Sequence, residues 1–145
     1  MIFHLSFFIF SLFISYIDCT RYKIPNVMLI TLSTFLIIFG IIENELIIYS
    51  FIILLIFLLF FVSIILLMPK IILGGGDIKY ILVITLYLQP ISIPIFLIVT
   101  GIVQTFFLLY YQKIKKRRVA PMAPAIFLSV IMVKINEFID IYNIM

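Results

Sequence analysis

Long apolar runs separated by short polar clusters set the strongest limit on what this chain can fold into. The runs are Ile2–Ile17, Val27–Ile42, Leu46–Met68, Tyr80–Tyr111 and Val119–Val133. About 20 apolar residues make a helix long enough to cross ~30 Å of hydrocarbon. Gln89-Pro90-Ile91-Ser92 reads as a turn that splits the fourth run into a span over Ile78–Leu88 and another ending at Tyr111. The sequence therefore predicts an all-α polytopic membrane protein of six transmembrane helices, one domain over residues 1–145 with no repeat or linker. Charged residues are only 11% of the chain, against 66% hydrophobic, where soluble domains carry about 25% charged residues. A soluble enzyme, a free-standing nucleic-acid binder and a disordered tail are excluded. The first run lacks the basic start and small-residue cleavage site of a secretory signal and reads as a retained span.

Charge placement orients the spans. With the N-terminus and C-terminus both outside, the cytoplasmic segments are 18–24, 69–79 and 112–118, and they hold nine of the ten basic residues. That is the excess of Lys and Arg expected on the inner side. The block 113–118 reads as an anchor on anionic lipid headgroups, not as a nucleic-acid patch. Glu43, Glu45, Glu137 and Asp140 fall outside with Lys134. The fourth span, eleven residues long, is too short to cross alone unless its turn is buried or the membrane thins. One bent span over 78–111 would instead carry the basic block outside.

Two acids escape the sidedness rule. Asp18 and Asp77 both lie at span ends on the basic, inner side. Asp18 could pair with Arg21, and Asp77 could cap a helix starting at Ile78. As a pair they suggest chemistry, because an ionisable group at the membrane edge is costly. Two neighbouring carboxylates share a proton, so one can activate water while the other protonates an amide carbonyl. A single cysteine, Cys19, and a single histidine, His4, leave no disulfide, no metal cluster and no nucleophile–base set. No metal and no cofactor is called for.

Backbone-special residues adjoin both acids. Ile24-Pro25-Asn26 follows Asp18, with Pro25 starting the second span, and Gly74-Gly75-Gly76 precedes Asp77. Such glycines free the backbone for close approach or positive φ, or serve as a flexible turn. All three alanines interleave with Pro121 and Pro124 in Ala120–Ala125, where small residues permit close helix approach.

Asp18 with Ile24-Pro25-Asn26, then Gly74-Gly75-Gly76-Asp77-Ile78-Lys79, then Pro121-Met122-Ala123-Pro124, resembles the motif series of the type IV prepilin peptidases, GxGD-type membrane aspartic peptidases. The resemblance implies an endopeptidase that removes the short basic leader of prepilins or pseudopilins at the cytoplasmic face of the cell membrane. Asp18 and Asp77 would be the catalytic pair. Gly74, Gly75 and Gly76 would shape the active-site loop, Pro25 and Asn26 the entry to span two, and Pro121 and Pro124 a structural motif nearby. Lys79 would snorkel to lipid phosphates or meet an acidic substrate group, the lipid contact being favoured. The family usually has Phe-Gly where this chain has Met122-Ala123. Longer relatives carry a cysteine-paired methyltransferase segment. The short 18–24 link instead resembles peptidases of tight-adherence (Flp) pilus systems, with archaeal preflagellin peptidases as neighbours. Presenilin-type proteases fit less well, since Ile17 separates Tyr16 from Asp18 and Ile126 follows Pro124-Ala125. A small transporter or structural subunit with cation-binding acids is the reading of a different class.

Overall fold

The computed structural model describes residues 1–46, 48–67, 74–116 and 119–144, the side chains of 48–49, 64–67 and 140–144 excepted. Lys70, Arg117 and Arg118 lie outside the described residues, as does Pro69. The described chain forms six helices: α1 (Ile2–Arg21), α2 (Asn26–Ile42), α3 (Ile48–Leu67), α4 (Gly75–Ile84), α5 (Ile93–Lys113) and α6 (Ala123–Ile144). Helix α1 packs against α2 and α6, α6 against α5, and α4 inserts beside α2 and α3. Two stretches, Ile2–Arg21 and Pro90–Lys113, are long and apolar enough to cross a membrane. Asn26–Ile42 and Ser50–Ser63 are shorter apolar helices. Ile, Leu and Phe side chains cover much of the outer surface, among them Phe13, Leu55, Phe106 and Phe138, each more than half exposed. In water such a surface would be an association site; in lipid it is solvated.

Helix limits differ from the apolar runs where local backbone chemistry decides them. Helix α1 continues past Ile17 to Arg21 and stops at Tyr22, whose left-handed backbone (φ 52°) lets its N–H bond to the Asp18 carbonyl at 2.9 Å. Asp18 therefore stands on the last turn of α1 and not in the loop beyond it. Pro25 is the residue that caps α2, extended at φ −71° and ψ 126°. Its carbonyl receives the Met28 N–H at 3.1 Å. Helix α4 starts at Gly75, so two of the three glycines are helical, and no described glycine has positive φ. Close approach, not a left-handed turn, accounts for them.

The short fourth segment is completed by a buried turn. Helix α4 has ten residues, about 15 Å of rise. Beyond it the chain coils through Leu86, Tyr87 and Leu88, all buried, with Tyr87 and Leu88 N–H groups bonded to the Ile84 carbonyl at 2.9 and 3.0 Å. Irregular backbone survives at membrane depth only when protein surrounds it. Tyr87 supplies much of that surrounding: its ring stacks on Phe7 at 3.8 Å, its hydroxyl meets His4 Nδ1 at 3.1 Å, and Lys134 Nζ lies 5.2 Å from its centre. Ser92 and Lys134 both reach Glu137, and the N-terminal ammonium reaches Glu43. One end of the bundle is thus closed by matched charges.

Tyr87→Ala removes the ring that plugs this end and should cost about 3–5 kcal/mol, whereas Tyr87→Phe, which loses only the His4 contact, should cost about 1 kcal/mol. Thermal unfolding of the detergent-solubilised variants measures both.

Candidate active site

At the opposite end, three chain segments meet around one cleft of about 360 Å³ lined by Asp18, Asn26, Gly74, Gly75, Gly76, Asp77 and Lys79, together with Tyr22, Lys23 and Ile24. Asp18 comes from the last turn of α1, Asp77 from the first turn of α4, and Asn26 opens α2. Helix geometry delivers both carboxylates to the same depth, because one helix ends where the other begins.

Asp18 is only 4% exposed. Its Oδ2 accepts the backbone N–H of Ala123 at 2.9 Å, 105 residues away in sequence, and the Met122 N–H also points to it. These N–H groups belong to the start of α6, where helical donors have no intrahelical partner. The expected Asp18–Arg21 pair does not occur among the described ion pairs. Main-chain donors at a helix N-terminus, and not a cation, meet this carboxylate. Pro121 and Pro124 do not line the cleft. They flank the two residues whose main chain does the binding, and a main-chain donor tolerates Met122-Ala123 in place of other side chains.

Asp77 is the third residue of α4, not the cap of a helix beginning at Ile78. The carboxylate folds back over Gly74: a Cβ there would sit 2.5 Å from Asp77 Oδ2. A Cβ on Gly76 would press on Ile24 at 3.1 Å, while one on Gly75 would meet nothing within 4 Å. Gly76 thus lets the α4 start close on the α1–α2 link, and Gly74 leaves room for the Asp77 carboxylate. Lys79 Nζ bonds Asn26 Oδ1 at 3.0 Å, which ties the start of α4 to the start of α2. No group of His, Cys, Asp and Glu among the described residues could hold a metal.

The model of the type IV leader peptidase family matches residues 5–109. The chain belongs to that family. No curated protein and no solved structure matches the chain significantly. As a type IV leader peptidase family member it is a leader-peptidase-type protease, and the matched region contains Asp18, Asn26 and the Gly74–Lys79 segment but ends before Pro121. Sequence reasoning missed Tyr22, Lys23, Ile24 and the Met122-Ala123 main chain. Their only signal was position, between Asp18 and Pro25 and between two prolines.

Gly74→Ala and Gly76→Ala should each lower peptidase activity at least tenfold by displacing the Asp77 carboxylate or parting α4 from Ile24. Gly75→Ala should retain activity and gain about 0.5–1 kcal/mol of helix stability. A side-by-side assay of the three leader-cleavage rates checks the series.

Proposed function

We propose that the chain is a membrane aspartic endopeptidase that cleaves the leader from prepilins or pseudopilins at the cytoplasmic face, with Asp18 and Asp77 as its catalytic pair. The observation that carries this reading is the placement of both carboxylates in one cleft under unequal support. Asp18 receives the backbone donor of Ala123, whereas the Asp77 carboxylate folds back over Gly74. Ionised Asp18 takes a proton from water as the water attacks the scissile carbonyl carbon, and protonated Asp77 gives its proton to the carbonyl oxygen. Collapse of the tetrahedral intermediate breaks the C–N bond as the proton held by Asp18 passes to the leaving nitrogen and a hydroxyl proton of the intermediate returns to Asp77. No cofactor enters. Lys79 and Lys23, on the cleft rim, keep the negative charge of the pair tolerable.

Sidedness rests on the charge partition. Glu43, Glu45, Lys134 and Glu137 neutralise one another or the N-terminus and His4 at one end, while Lys115 lies near Cys19 at the aspartate end. Six spans with both termini outside follow from this, the α4 helix and its buried turn forming the fourth. The short cleft-facing link 22–25 favours the Flp-type peptidases within the family.

Co-expression with a candidate prepilin should give leader removal visible as a gel shift, and Asp18→Asn or Asp77→Asn should each abolish it while the protein still inserts. One carboxylate must be ionised while the other holds a proton, so the rate of the purified enzyme should pass through a maximum with pH and fall on both sides. Wild-type cleavage by either variant would sink the pair assignment. In a Cys19→Ser background, Asn44→Cys should label from outside intact cells and Lys115→Cys only after permeabilisation; the reverse pattern would invert the topology.

A further inference from the structure

Beneath the aspartates lies a group of hydroxyls that the reaction so far does not use. Ser11, Ser15 and Asp18 fall on one face of α1 at spacings of four and three residues, and all three are buried. Ser11 is 0% and Ser15 8% exposed, and Tyr80, three residues past Asp77 on α4, is 0% exposed. The hydroxyls of Ser11, Ser15 and Tyr80 have no hydrogen-bond partner among the described residues. This departs from the habit of the chain itself. Ser6, Thr85, Thr100 and Ser129, equally buried, each return their hydroxyl to a carbonyl three or four residues back. Ser11 and Ser15 turn theirs inward instead. Ser11 and Tyr80 face each other closely enough to interact, yet do not close a hydrogen bond of good geometry.

Leaving a buried hydroxyl unpaired costs about 1–3 kcal/mol, and a buried water with two to four polar partners is the ordinary remedy. We propose that Ser11, Ser15 and Tyr80 hold internal water under the aspartate pair, and that this water hydrogen-bonds onward to the Asp18 carboxyl through Oδ1, the oxygen not engaged by Ala123. The three hydroxyls are then positioning residues. They touch no substrate, since none of the three lines the cleft, and act by fixing the orientation and charge of Asp18. The inference rests on the peptidase reading for its kinetic consequence but not for its carboxylate consequence.

The test uses the full chain in detergent with Ser11→Ala, Ser15→Ala, Tyr80→Phe and the hydroxyl-retaining Ser15→Thr. Leader cleavage should show kcat reduced roughly ten- to a hundred-fold in Ser15→Ala and Tyr80→Phe with KM unchanged, a displaced acid limb of the pH profile, and recovery in Ser15→Thr. Infrared titration of the carboxyl C=O band, assigned with Asp18→Asn, should show the Asp18 transition displaced in Tyr80→Phe whether or not any prepilin is cleaved. Melting temperatures should equal or exceed wild type, since no protein hydrogen bond is lost. Unchanged kcat and an unmoved carboxyl band would overturn the proposal. So would a Tyr80→Phe protein that melts well below wild type, because the hydroxyls would then be bonding one another as structural groups. A displaced band in a protein that cleaves no prepilin would support the water site and refute the peptidase reading.

Discussion

The bond from the Ala123 N–H to the Asp18 carboxylate joins the end of the first helix to the start of the last across 105 residues. Much of the cleft depends on it. A carboxylate buried to this degree needs donors, and a helix that begins at depth in an apolar protein has N–H groups without partners. Each group answers the other's deficit. The pairing holds α6 against α1 at the aspartate end, and the α1–α2 link then sets Ile24 and Asn26 where the Gly74–Asp77 segment can close on them.

Polar groups divide between the two ends, with different logic at each. At one end charges are paired off, Lys134 with Glu137 and Glu43 with the N-terminus, and His4 hydrogen-bonds Tyr87. At the other end two acids share a cleft with lysines. The first arrangement stabilises. The second stores unfavourable electrostatics that the paired end and the aromatic packing of Phe3, Phe7 and Tyr87 offset.

Helix number and most helix positions were legible in the sequence because hydrophobic runs and polar clusters are one-dimensional signals. The boundaries at Asp18 and Gly75 were not. They turn on a left-handed cap at Tyr22 and on glycines that continue a helix, where composition argues for a loop. The same difference separates the site residues. Asp18 and Asp77 stood out as acids among bases, whereas Ala123 contributes through its main chain, and a backbone donor leaves no mark in residue type. Lys79 was visible as a cation, but its Asn26 partner lies 53 residues away.

By itself the sequence determined that the protein must fold as apolar helices and that two acids stand in its otherwise basic polar segments. Its three motifs carried the family. Solvation and charge are summed along the chain, so a linear reading reaches them. Only the tertiary structure decided that an α6 N-terminus, and not Arg21, answers Asp18, that Gly74 and Gly76 are packing contacts while Gly75 is not, and that Ser11, Ser15 and Tyr80 turn their hydroxyls inward. Each of these depends on which atoms come within a few ångströms across helices distant in sequence. Burial and hydrogen-bond satisfaction are set by that meeting, not by residue order.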